Sequence, residues 1–280
     1  MSQHFAVESG YAPSGGAKIY FETQGAGPAV VFIHAGVSDG RMWDPQFEAF
    51  AGKFRVVRYD HRGFGKSSMP AEPYEFRQDL LSVIRHLGIA RAALVGCSLG
   101  GATGIDFALQ NPEMVTALVL VGSGVSGLND PKELSVGAIK YWTELIELAR
   151  KGDVERAREM DAKYWIDGPS REPAQIDPAY RERARQLHRE NFSVERFQQL
   201  QHQEKPLSPP AIRRLGEIVA RTLVVIGDHD SEDLVKLADR LTREISGARL
   251  VTIANAAHLP SLEHPEEFNR ILSDFLSPLL

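Results

Sequence analysis

Residues 93–104 read ALVGCSLGGATG, an apolar run that breaks into a turn of small residues around one serine. Gly96-Cys97-Ser98-Leu99-Gly100 fits G-x-S-x-G, a pentad that average glycine and serine usage would produce roughly 0.1 times in a chain of this length. The setting says more than the pentad does. An apolar stretch, RAALVG (residues 91–96), runs in, and a helical stretch from Leu99 to Gln110 runs out. That is the strand–turn–helix context which lifts a serine hydroxyl to the top of a sheet. Gly96 and Gly100 leave room around such a turn, while Gly101 and Gly104 let the helix approach its neighbours closely. The helix start also directs its dipole and unbonded N–H groups at any anion formed beside the serine. By itself the segment also suits a glycine-rich packing turn, so the rest of the chain must decide between the two.

Outward from this turn, short β-branched runs alternate with helical patterns. AVVFIH (29–34), FRVVRYD (54–60) and VTALVLVG (115–122) are predicted strands, the first almost wholly apolar, as expected where helices cover both faces of a parallel sheet. A hairpin is expected over about residues 4–24, turning at Gly15-Gly16. DPQFEAFAG suits a short helix with Pro45 in its first turn, and EFRQDLLSVIRHLG (75–88) places Leu80, Leu81, Ile84 and Leu87 on one helical stripe. The alternation predicts an α/β fold with a doubly wound, mostly parallel sheet. It breaks near residue 125 and resumes with RTLVVIGD (221–228), a helix EDLVKLADRLTREI, the strand RLVTIA (249–254) and a last helix from Pro265. The expected organisation is a core of residues 1–124 and 216–280, interrupted by a helical cap over 125–215. Such a cap would lie over the carboxyl ends of the strands, where open α/β sheets bind ligands.

Composition narrows the function classes. The 280 residues are 43% hydrophobic, enough for a large core, and the formal charge of -5 with no clustered Lys/Arg tract argues against a nucleic-acid partner. Cys97 is the only cysteine, so no intrachain disulfide can form. The opening MSQHFAVESG lacks the features of a secretory signal, and no apolar run is long enough for a bilayer. A cytoplasmic protein without a membrane partner is expected, and nothing marks an oligomeric state.

A serine hydroxyl needs a base within reach and an acid to orient that base. Asp230 follows the strand RTLVVIG in the loop GDHD, and His258 follows RLVTIA in the loop NAAHLP, so both fall after strands, as Ser98 does. Asp228 is the rival acid. Through FIHAGVSDGRMWDPQF, YDHRGFGKS, LVGCSLGGATG, LVVIGDHD and NAAHLPSLEHPEEF the chain resembles the α/β-hydrolase fold family over essentially its whole length. It is most similar to the capped branch that holds 3-oxoadipate enol-lactonases, carboxylesterases and C–C hydrolases. The resemblance implies that Ser98 is the nucleophile, His258 the general base and then acid, and Asp230, the last residue of G-x-x-D, the orienting acid. Some members keep the acid after the preceding strand, but VGSGVSGLN has no carboxylate.

The resemblance also implies an oxyanion hole made by the N–H of Leu99 and a second N–H from the loop after AVVFIH. That loop usually reads His-Gly-x and here reads His34-Ala35-Gly36. Since Ala35 lacks the left-handed freedom of glycine, the second donor is expected at Gly36, with Val37 next. Val37, Trp43, Trp142 and Trp165 are candidate substrate contacts, Trp43 equally a packing residue. Tyr141, Trp142, Tyr164, Trp165, Phe192 and Phe197 are expected mainly in the cap's own core, and the cap's balanced Arg and Glu residues on a solvated face. His34 and His61 are expected to hydrogen-bond within their loops, and Cys97 to pack. Asp228-His229-Asp230 has metal-like spacing without further ligands, so neither metal nor cofactor is expected. The implied activity is hydrolysis of a small carboxylic ester or lactone through an acyl-enzyme. C–C hydrolysis, perhydrolysis and acyl transfer use the same three residues and stay open. A ligand sensor with negligible turnover is the rival of another class, disfavoured because binding alone does not require all three.

Overall fold

The computed structural model describes residues 5–69, 72–128, 134–195 and 204–280, so that Phe197 and His4 at the start of the expected hairpin lie outside the described residues. Eight strands form one sheet in the order β1-β2-β4-β3-β5-β6-β7-β8. The hairpin is β1 (Glu8–Ser14) and β2 (Ala17–Gln24), joined through left-handed Gly15 and Gly16. Strands β3 (Ala29–Ile33), β4 (Arg55–Tyr59), β5 (Ala92–Cys97), β6 (Val115–Val121), β7 (Arg221–Gly227) and β8 (Arg249–Ile253) run parallel, and β2 pairs with β4 antiparallel. The strand order reverses at β3, which has β4 on one side and β5 on the other. Crevices at such switch points, beyond the carboxyl ends of the strands, are where open α/β sheets bind ligands.

Alternation along the strands divides the core into two layers. Val31, Ile33 and Leu94 face the layer filled by helices α2 (Phe76–His86) and α3 (Leu99–Gln110). Val30, Phe32, Val95 and Cys97 face the opposite layer, filled by α1 (Asp44–Phe50) and the last helix of the chain. Both faces are therefore dry, which explains why the central strands read as continuous apolar runs rather than alternating ones.

Between β6 and β7 the described residues form helices: α4 (Val136–Lys151), α5 (Val154–Ala162) and α6 (Pro178–Asn191). Their ends follow local capping chemistry. Ser135, Asp153 and Asp177 each accept a backbone N–H of the first turn, and Gly152 closes α4 in the left-handed conformation. Tyr141, Leu145, Leu148 and Ala157 form a small core of their own, with Trp142, Tyr164, Trp165 and Phe192 packed against it. The charged residues depart from the expected solvated face: Arg171, Arg185, Asp161 and Asp167 are buried. Arg181 and Arg185 converge on Asp167 at 2.9 and 2.6 Å, an interior ion cluster that residue counting could not separate from surface charge. Three helices complete the chain: α7 (Glu232–Glu244), the single-turn α8 (Pro260–Glu263) and α9 (Pro265–Leu276). No helix among the described residues is long and apolar enough to cross a membrane.

Candidate active site

Ser98 stands between β5 and α3 with φ 54° and ψ −112°, a conformation that side-chain-bearing residues rarely adopt. Neighbouring backbone forces it there. A Cβ on Gly96 would stand 2.3 Å from the carbonyl oxygen of Gly100, one on Gly100 would stand 2.2 Å from that of Ile33, and one on Gly101 would meet Ser123 Oγ at 2.1 Å. Only glycine lets α3 start this close to β3 and β6. The Ser98 N–H donates to Val121 O at 2.9 Å, and Ser98 O accepts the Gly124 N–H at 3.0 Å, so the end of β6 holds the turn. The packing-turn reading accounts for the glycines but not for a strained serine at their centre.

His258 and Asp230 meet at the ends of β8 and β7. His258 Nδ1 lies 2.9 Å from Asp230 Oδ2, and both side chains are almost fully buried. Asp230 Oδ1 accepts the Ser231 N–H at 2.7 Å, leaving the carboxylate oriented at both oxygens. The rival Asp228 has a side chain 41% exposed, and its Oδ1 takes the Ala256 N–H at 3.3 Å. Position 122 must be glycine here: at φ 46° its Cβ would stand 3.0 Å from Asp230 Oδ2 and 3.1 Å from His258 Nδ1.

Ser98, His258, Leu99, Gly36 and Val37 line one cavity of about 640 Å³. As the first residue of α3, Leu99 has an N–H without an intrahelical acceptor. Gly36 lies across from it, a Cβ there coming to 3.7 Å from Leu99 Cδ2. Alanine at position 35 distorts nothing, because the loop places neither Ala35 nor Gly36 in the left-handed region. His34 holds the loop instead. Its Nε2 accepts the His61 N–H at 2.8 Å, which leaves Nδ1 to donate to Ala35 O at 2.8 Å. Burial pushes the His61 imidazole well below its usual range, so that ring stays neutral.

The inserted helices supply the rest of the wall. Trp142, Trp165, Tyr141, Tyr164 and Phe192 line the cavity as well as packing together, so the expected division between core aromatics and substrate-facing ones does not hold. Trp43 is a correction in the other direction: it is fully buried between Phe32 and Phe268, at 5.3 and 6.0 Å between ring centroids, and takes no part in the lining. Cys97 is buried in the layer away from α3, where burial pushes its thiol well up, and Sγ lies 3.6 Å from His258 O.

Charge in the cavity is lopsided. Asp106, Asp161, Glu204 and Asp233 line it against a single guanidinium, Arg77, among the described residues. That guanidinium is engaged elsewhere, donating to Gln110 Oε1 and Lys205 O at 2.9 Å and pairing with Glu75 at 3.1 Å. Burial raises the Asp106 carboxyl, and burial together with the Asp106 charge raises Glu204 to about 7. Sequence reasoning missed these residues, along with Asp39 and Asn191. Asp39 Oδ2 accepts Asn191 Nδ2–H at 2.7 Å and Asn191 Oδ1 accepts the Gly65 N–H at 3.1 Å, tying the loop after β3 to the end of α6. No group of three or more His, Cys, Asp or Glu among the described residues is placed to hold a metal.

Comparison with known proteins bears on the family and the fold. The sequence model described as the alpha/beta hydrolase family matches residues 30–271. The 2-hydroxy-6-oxo-6-phenylhexa-2,4-dienoate hydrolase of Comamonas testosteroni is 29% identical over 268 residues, which is 92% of this chain and 91% of that protein. Among solved structures, Est816, an N-acyl homoserine lactone degrading enzyme, superposes with a TM-score of 0.79 at 26% identity, covering 95% of this chain and all of the other. The enol-lactonase from Burkholderia xenovorans LB400 superposes with a TM-score of 0.77 at 24% identity, covering 96% of this chain and all of that one, a likeness of fold.

Proposed function

This chain belongs to the alpha/beta hydrolase family, and on that premise we propose that it hydrolyses an uncharged carboxylic ester or lactone through an acyl-enzyme on Ser98. One observation carries the reading: a serine held at positive φ at a strand-to-helix turn shares a cavity with a histidine already oriented by a buried aspartate. In this reading His258 Nε2 takes the proton of Ser98 Oγ as the oxygen attacks the substrate carbonyl, Asp230 holding Nδ1–H throughout. The oxyanion is met by the N–H groups of Leu99 and Gly36, with the α3 dipole behind the first. His258 then gives its proton to the leaving alcohol oxygen and activates the water that frees the acid.

C–C bond hydrolysis is the second reading, favoured by the Comamonas relative, whose named substrate is a dienoate and so an anion. The lining charges weigh against it here. A carboxylate entering beside Asp161 and Asp233, and beside Asp106 and Glu204 whose carboxyls burial raises, would lose its water shell without meeting an uncommitted cation among the described residues, since Arg77 is held by other partners. A panel of neutral aryl esters, lactones and an anionic vinylogous diketone, run on wild type and Ser98→Ala, separates the readings. Turnover of the neutral substrates is expected, with kcat/KM falling by several orders of magnitude in Ser98→Ala. Ordinary turnover by that variant would remove Ser98 as nucleophile; a higher kcat/KM on the anionic diketone would favour C–C hydrolysis.

A further inference from the structure

The inserted helices bring one aromatic ring directly against His258. The Trp165 indole lies 4.6 Å from the imidazole between centroids, tilted by 42°. The segment that follows it packs against the loops that carry His258 and Asp230. Trp165 sits in a single π-helical turn, Lys163–Asp167, an element found disproportionately at functional sites. The turn ends at Gly168, φ 88°, where a Cβ would stand 2.8 Å from His229 O and 3.1 Å from Ala257 Cβ. Three residues on, the buried Arg171 donates to Asn255 O at 2.8 Å and to Glu263 at 2.7 Å, and Glu263 accepts the Ala257 N–H at 2.9 Å.

The orientation of the ring is fixed as well. Trp165 Nε1–H donates to the Tyr141 hydroxyl at 2.8 Å, and that hydroxyl donates to Asp161 Oδ1. Asp161 Oδ2 lies 2.6 Å from His188 Nε2, and Tyr141 stacks on Tyr164 at 4.1 Å. Burial, reinforced by the Asp161 charge, holds the Tyr141 phenol far above its usual range, so it remains a donor. This buried chain runs from His188, whose Nδ1 has no hydrogen-bond partner among the described residues, to the ring that covers His258.

We propose that Trp165, aligned by the Tyr141–Asp161–His188 chain, is a positioning residue for His258, its indole holding the imidazole in place and stabilising the positive charge gained with the serine proton. The inference rests on the reading of Ser98 and His258 given above. As Ser98 Oγ attacks, its proton moves to His258 Nε2 while Nδ1–H stays on Asp230, and the ring is a cation until Nε2 releases that proton to the leaving oxygen. An indole attracts a desolvated cation at this distance. The charge exists only along the reaction path, so the contact lowers the barrier without tightening substrate binding. Because the indole arrives with the inserted helices, the base is complete only while they are seated on the β8–α8 loop.

The test is steady-state kinetics on a neutral aryl ester for wild type, Trp165→Leu, Trp165→Phe, Tyr141→Phe and Ser98→Ala. Trp165→Leu is expected to lose about tenfold in kcat with little change in KM. Trp165→Phe, which keeps an aromatic face, should regain most of that loss, and Tyr141→Phe should fall between them, again in kcat. A rise in KM at unchanged kcat in Trp165→Leu, or a Phe variant no better than Leu, overturns the proposal. If Trp165→Leu does not fold, Tyr141→Phe decides: it removes one oxygen, and an unchanged kcat there overturns the proposal as well. An inactive Ser98→Ala beside a fully active Trp165→Leu defeats only the role of Trp165, whereas turnover by Ser98→Ala defeats the nucleophile beneath it.

Discussion

Replacing Asp39 by asparagine tests how the loop after β3 is held against the inserted helices. The Asp39 residue is 1% exposed, and its carboxylate accepts from Arg41 N, Nε and Nη2 and from Asn191 Nδ2. Burial alone would raise this carboxyl, but the Arg41 and Asn191 donors outweigh it and hold the group at about 2, against an ordinary value of 3.8. At ~1.4 kcal/mol per unit, the ionised side chain contributes about 2 kcal/mol to folding at neutral pH. The sign follows from the depressed value: the contribution is full above the unfolded pKa near 4 and is lost as pH falls through about 2. Asparagine keeps the shape, loses the charge and turns an NH2 toward one of the donors. Asp39→Asn should therefore unfold in urea about 2 kcal/mol more easily at pH 7, with an unchanged m-value, and the gap should narrow to about 1 kcal/mol at pH 3. Moderate salt should also narrow it, because the Arg41 side chain is 42% exposed and screened by ions. A gap below about 0.5 kcal/mol at pH 7, or one that is constant with pH, would refute the reasoning.

Two further outcomes follow from the same geometry. Asp230→Asn should lower kcat on a neutral ester by about four orders of magnitude through loss of the correct histidine tautomer, whereas Asp228→Asn, half-exposed and turned to the Ala256 N–H, should leave it near wild type; similar losses at both positions would contradict the assignment of the acid. Arg171→Met leaves Glu263 buried without its counter-charge and should cost about 3–5 kcal/mol in denaturant unfolding, with Arg171→Met/Glu263→Met recovering most of it; a double variant no more stable than the single one would show that the ion pair is not what holds these segments together.

Much of the fold was legible in the chain because the forces that shape its elements act over a few residues. The glycines at 96, 100 and 101 have no side chain to collide with the neighbouring backbone, and the apolar runs at 29–34 and 115–122 report dry surroundings on both faces of the sheet. Local information of that kind also placed Ser98, Asp230 and His258 after strands, since in a parallel sheet the carboxyl ends all point one way. Local chemistry alone does not separate Asp228 from Asp230, two aspartates in one loop; the family's G-x-x-D position favoured Asp230, the residue that meets His258. Nor could local chemistry decide between Trp43 as packing and as lining: the ring's surroundings are Phe32 and Phe268, the second more than two hundred positions away in sequence.

The same holds for what surrounds the site. Asp39 with Asn191, Arg171 with Glu263, and Tyr141 with Asp161 and His188 are pairs that no periodicity or motif connects, each made by packing between elements distant in the chain. Sequence alone therefore determined the class of fold, the strained serine turn and the edge at which its partners lie, all products of short-range sterics and strand direction. Only the tertiary structure decided which charges line the cavity and which aromatic ring covers His258, because those depend on distances between segments that meet only after the chain has folded.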